Sequence, residues 1–230
     1  MKKLMLIGLL SFVAIGLFAQ KSSLGTAKSG SKEKSDPQAE SILNKVNTKY
    51  ASYKSMKMDL KVTIQDGKFK EEQTAKVSVK GNKFKIDSKD QLIISDGKKN
   101  WIYLKEADEL QISKPDPDDV GMFSSPDKLL KTYQEEFISG YMGLFKLSGK
   151  IVHKIEFKPM DKNSEYSKVA VYIDKTDLTV VKIKVFDKSN IHYSIRMENF
   201  VKNTTMKDTD FKFDESTVSE ENIIRLCDGC

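Results

Sequence analysis

The sequence predicts a mainly β protein of the α+β class, built on one large antiparallel sheet that curls on itself. Three observations predict it. From Met56 the apolar period changes from helical spacing to strict alternation, and alternation then dominates the chain. Short turn signals separate the alternating runs, as they do in a meander. Only two stretches keep a clear helical stripe, so little helix is available to cover the apolar side of the sheet.

The elements follow in order. Asp36-Pro37 opens a first helix, because aspartate caps free amides and proline suits the first turn. Ile42, Leu43, Val46, Tyr50 and Tyr53 form its stripe, and it is expected to end near Ser55. Met56, Met58, Leu60, Val62 and Ile64 then alternate with Lys57, Asp59, Lys61, Thr63 and Gln65, a strand with one buried face. Asp66-Gly67 is a hairpin signal. A more polar strand ends in Val77 and Val79, and Gly81-Asn82 turns the chain into Phe84 and Ile86. Gln91 to Ser95, Asn100 to Leu104 and Glu109 to Ser113 bring the run to six strands.

The meander is then interrupted. Pro115 to Asp118 is a loop, and Ser125-Pro126-Asp127 starts a second helix with Leu129, Leu130, Tyr133 and Phe137 as its stripe. Gly140 and Gly143 are expected to loosen the chain before the strands resume. Ile151, His153, Ile155 and Phe157 share one face of the next strand. Similar runs hold Val169, Val171 and Ile173, then Val181, Ile183 and Val185, then Ile191, Tyr193, Ile195 and Met197. Phe211 and Phe213 suggest a last short strand, for 10–11 strands and two or three helices in one domain.

The ends of the chain read differently. Lys2 and Lys3 precede an apolar run to Phe18, and Ala19 is a cleavage point, so residues 1–19 read as a signal peptide that exports the protein. Residues 20–35 are rich in Ser, Lys and Gly and read as a flexible linker. The formal charge of +6 is spread along the strands in alternation with apolar residues, with no basic block and no interleaved aromatics. That excludes a nucleic-acid footprint. Cys227 and Cys230 close the chain, and in an oxidising compartment they read as a small disulfide. With His153 and His192 as the only histidines, the residues assemble no metal site.

Each long strand is apolar on one face and charged on the other, so the apolar face must be covered by the sheet itself, by helices or by a ligand. About eight strands is the usual limit for an interior that side chains fill. Two interiors stay open on this ground: an apolar cavity partly lidded by helices, or an ordinary packed core. Catalysis has no support. There is no nucleophile elbow, no phosphate loop and no desolvated carboxylate pair in the pattern, so the chain does not read as an enzyme and implies no cofactor.

Several stretches carry a resemblance. Leu92 to Tyr103, with its Ser95-Asp96-Gly97 and Trp101-x-Tyr103, resembles the hairpin of periplasmic outer-membrane lipoprotein carrier proteins, the LolA family. Tyr50 to Tyr53 with the strand from Met58 to Gln65 is similar to that family's first helix and strand, and Val79 to Ile86 to its next hairpin. The resemblance spans nearly all of residues 37–220. It implies a carrier domain over residues 36–220, followed by a tail over 221–230 that lies outside the family pattern.

What it implies for fold and function is specific. The fold would be an unclosed, strongly curved β-barrel with a helical lid. The protein would be a monomeric periplasmic carrier that holds the acyl chains of lipoproteins in an apolar cavity. It would take them from an inner-membrane ABC exporter to an outer-membrane receptor, or to the outer membrane directly. By parity with the matched hairpins, Met58, Leu60, Val62, Phe84, Ile86, Ile94 and Trp101 would form the cavity wall. Leu129, Leu130, Tyr133 and Phe137 would belong to the lid. The alternative is a lipid- or lipoprotein-sensing regulatory module on the same fold. One departure stands out: the family's Arg-Pro turn, whose arginine helps hold the lid, is Gly81-Asn82 here.

Overall fold

The structure is a computed structural model that describes residues 34–115 and 136–227. One α-helix stands among the described residues, α1 (Pro37–Ala51), and it is followed by the strands of a single sheet. The first run is β1 (Met56–Asp66), β2 (Phe69–Lys80), β3 (Lys83–Ser88), β4 (Gln91–Ser95), β5 (Asn100–Leu104) and β6 (Glu109–Ser113). The second is β7 (Phe137–Leu147), β8 (Lys150–Pro159), β9 (Tyr166–Asp174), β10 (Val180–Asp187) and β11 (Ile191–Lys202). Three short 3-10 turns lead to β12 (Ile223–Arg225).

The spatial order is β12-β6-β5-β4-β3-β2-β1-β11-β10-β9-β8-β7. Two meanders are thus joined through β1 and β11, which run antiparallel from Met56 opposite Lys202 to Asp66 opposite Ile191. Every neighbouring pair is antiparallel except β12 and β6. The outermost strands, β7 and β12, do not pair with each other, so the barrel is unclosed.

Strand register sorts the side chains into two faces. Met58, Val77, Ile86, Ile93 and Ile102 lie opposite one another across β1 to β5 and mark the inner face. Lys57, Ser78, Lys85, Ile94, Trp101 and Ile112 run in the neighbouring row on the outer face. On the other half, Phe157, Val169 and Val185 form one inner row, and Ile155, Val171, Ile183 and Ile195 the next. These inner residues are buried in one continuous cluster, with Ile102 packed partly buried against it. A 15-residue helix is only about 22 Å long and 10 Å wide. Twelve strands laid flat would span about 53 Å. The helix alone cannot bury such a face, so the sheet curls over itself.

The architecture departs from the sequence expectation at several points. There are twelve strands, against the expected 10–11. Phe137 does not end a helical stripe: it opens β7 and packs edge-on to Phe157 with ring centroids 6.4 Å apart. Gly140 and Gly143 lie inside β7, where Gly143 (φ +102°) accommodates a bulge opposite β8. Phe211 ends a 3-10 turn, and the last strand is Ile223–Arg225, formed by residues expected in the tail. Helix α1 stops at Ala51 with Ser52 as its cap, short of Ser55. The expected lid residues Leu129, Leu130 and Tyr133, the signal peptide and residues 20–33 of the linker lie outside the described residues.

Candidate functional site: the inner apolar face and its helix

Local chemistry fixes α1 across the inner face. The Asp36 Oδ1 atom accepts from the amides of Gln38 (2.7 Å) and Ala39 (3.3 Å), and Pro37 loses no helical hydrogen bond at its position. The same end is stitched to β7: the Asp36 amide donates to the Ser139 carbonyl at 2.8 Å, and the Ser139 amide donates to Ser35 Oγ at 3.0 Å. Ala39 and Ile42 are buried against the sheet, with Leu43, Val46 and Tyr50 packed beside them. At the far end the Tyr50 hydroxyl accepts from the Val180 amide at 3.1 Å. Tyr50, Tyr53 and Phe200 form an aromatic triangle with centroids 5.6 to 5.9 Å apart. Burial raises the Tyr50 phenol to about 12.

Of the seven expected wall residues, Met58, Leu60, Val62 and Ile86 are buried in the inner cluster, and Phe84 packs against it. Ile94 and Trp101 are not on that face. They belong to a separate outer cluster with Leu110, Ile112, Met206, Phe211 and Val218. The cause is register: β4 carries two adjacent isoleucines, and the hairpin places Ile93, not Ile94, opposite Ile86. A one-residue choice flips every assignment beyond it. Sequence reasoning also left out inner residues from the second half, chiefly Ile155, Phe157, Val171, Ile183 and Ile195. Their alternation was visible in the sequence, and only the β1–β11 junction shows that they share a face with β1.

The outer cluster is closed by the C-terminal segment. The Trp101 indole N–H donates to Glu215 Oε1 at 2.9 Å, and Tyr103 packs on Phe213 at 5.3 Å. Lys80 Nζ donates to the Met206 carbonyl (2.9 Å) and to Asp208 Oδ1 (2.8 Å), and Lys83 Nζ reaches Asp208 Oδ2 at 2.9 Å. The two lysines flank the Gly81-Asn82 turn, so this departure from the family pattern sits in a contact with the C-terminal segment. Asn82 also lies over Gly97 (φ +85°), where a Cβ would stand 2.2 Å from Asn82 Nδ2. Cys227 is disulfide-bonded, and Cys230 lies outside the described residues.

The inner face opens toward the tip of the β7–β8 hairpin. Leu144 and Ile151 lie on the same face of the hairpin as His153 and remain 47% and 46% exposed. His153 Nδ1 is 3.0 Å from the Tyr141 hydroxyl, and burial lowers its affinity for a proton. A separate cleft of about 450 Å³ lies where this hairpin tip meets β10 and β11. None of the seven expected wall residues lines it. Among the described residues no three His, Cys, Asp or Glu side chains stand together to hold a metal, and no helix is long and apolar enough to cross a membrane.

An unclosed, curled sheet with one apolar face, crossed by a helix fastened at both ends, defines this class of protein. The chain belongs to the outer membrane lipoprotein carrier protein LolA family, whose sequence profile matches residues 33–214, more than half of its length. It is 29% identical over 178 residues to an uncharacterised protein of Methanocaldococcus jannaschii, a match that covers 76% of this chain and 51% of that protein. The chain thus spans about half the length of that curated relative. Among solved structures, an uncharacterised conserved protein of Thermus thermophilus aligns with a TM-score of 0.56 at 13% identity, over 82% of this chain and 99% of that one. A LolA superfamily protein of Nitrosomonas europaea aligns at 0.41 and 12% identity, over 76% and 98% of the respective chains.

Proposed function

We propose that this protein is a periplasmic carrier that shields the acyl chains of lipoproteins against its inner apolar face and passes them from the inner to the outer membrane. The observation that carries the reading is the continuous apolar inner face from Met58 to Ile195, crossed by a single 15-residue helix among the described residues. The physical need is plain. An acyl chain of roughly 15 methylenes costs about 12 kcal/mol to expose to water, at about 0.8 kcal/mol each. A carrier must therefore cover the chain and still yield it to a partner that offers a better apolar site. Helix α1 is suited to both demands, since a few hydrogen bonds at Asp36, Ser139 and Tyr50 tie it to the sheet. The donor would be an inner-membrane ABC exporter, and the acceptor an outer-membrane receptor or the membrane itself. No cofactor enters the cycle.

The test is extraction. The purified protein, incubated with membranes carrying an acylated lipoprotein and the exporter, is expected to release that lipoprotein as a soluble complex. Binding of the lipoprotein without release from the membrane would replace the carrier reading with a sensing module. Failure to bind acylated protein at all would overturn both.

A further inference from the structure

The cleft beside β10 and β11 has a chemistry of its own. Lys182 and Arg196 lie directly opposite each other on these strands, and Lys61 lies opposite Arg196 on the other side. Like charges placed across strands repel and weaken a sheet. Lys61 is neutralised by Glu72, 2.9 Å away. Lys182 and Arg196 form no ion pair or hydrogen bond among the described residues. Asp177 and Glu198 also line the cleft, and neither comes within ion-pair distance of the two cations. Lys150, the third cation there, is held by Asp174 at 3.0 Å. Burial, with Lys184 and Arg196 nearby, lowers the Lys182 ammonium's hold on its proton. The remaining lining includes Leu147 and Val181 beside the cation pair, while Met197 and Phe200 pack against the inner cluster.

We infer that this cleft is a second ligand site, distinct from the inner face, for a single-chain anionic amphiphile whose phosphate or carboxylate sits between Lys182 and Arg196 and whose chain lies on Leu147 and Val181. The cleft volume of about 450 Å³ falls in the range of small-molecule sites. A bound anion would relieve the cross-strand repulsion, and Leu147 and Val181 would add affinity that a free anion cannot gain. The site does not depend on the carrier reading, because Leu147, Val181, Lys182 and Arg196 lie outside the inner cluster around Met58 and Ile86.

The experiment titrates the full protein, followed by amide NMR, with three probes below micelle concentration: dodecyl phosphate, dodecyl maltoside and inorganic phosphate. Dodecyl phosphate is expected to shift the amides of residues 179–182 and 196–200 and to bind at least about tenfold more tightly than either other probe, the equivalent of about 1.4 kcal/mol. Both Lys182→Ala/Arg196→Ala and the length-preserving Lys182→Gln/Arg196→Gln should abolish that preference while lipoprotein extraction continues unchanged. Equal affinity for the neutral detergent or for inorganic phosphate overturns the inference. So does binding that survives in a folded double variant, or shifts confined to Met58, Val62 and Ile86.

Discussion

The Tyr50 hydroxyl accepts the Val180 amide at 3.1 Å, so the last turn of α1 is fastened to the first residue of β10. Tyr50→Phe removes the acceptor and leaves that amide unpaired. The expected loss is about 0.5–1.5 kcal/mol of stability. Hydrogen exchange should show faster opening in α1 than in β1 or β11. If α1 must lift for a chain to enter, the variant should also load lipoprotein faster.

The same phenol sets an alkaline limit. Unfolded, Tyr50 ionises near 10, and in the fold burial raises it to about 12. Its folded value lies above its unfolded one, so its contribution is complete below pH 10 and is lost as pH rises toward 12. Tyr166, also raised to about 12 by burial, titrates in the same window. Thermal melts between pH 9 and 12 should show a smaller loss in Tyr50→Phe than in the parent protein.

Asp208 sets an acid limit on the C-terminal segment. Hydrogen bonds from Lys80 and Lys83 lower its carboxyl from 3.8 to about 2. The folded value lies below the unfolded one, so the contact contributes fully above pH 4 and is lost as pH falls toward 2. Trp101, joined to Glu215 of the same segment, is the chain's only tryptophan and reports the change. Asp208→Asn should flatten the acid transition in its fluorescence.

Ile86 and Ile94 separate the two faces. Replacing either with alanine should cost about 2–5 kcal/mol, because both are buried. Only Ile86→Ala should alter acyl capture, since Ile94 packs under the C-terminal segment. Equal effects of the two on lipoprotein extraction would contradict the assignment of the inner face.

Gly97→Ala probes the contact between the Ser95-Asp96-Gly97 turn and Asn82, which belongs to the turn that departs from the family pattern. A Cβ there would meet Asn82, and the positive φ disfavours any side chain. A loss of about 1–3 kcal/mol is expected. Asn82→Ala should recover the steric part of that loss and leave the backbone part, a difference readable by chemical denaturation.

The sequence by itself determined the strand-rich class, the bounds of β4, β5 and β6, the cap of α1, and the alternation that makes one face of each strand apolar. These are local properties, set by side-chain period and turn chemistry within a few residues. Tertiary structure alone decided which apolar residues meet. It put Ile93 rather than Ile94 beside Ile86, because a strand with adjacent isoleucines has no readable parity until a partner fixes its register. It placed Phe137 in β7, opposite Pro159 of β8 and edge-on to Phe157. It made Trp101 an anchor for Glu215, a contact across 114 residues that no local pattern encodes.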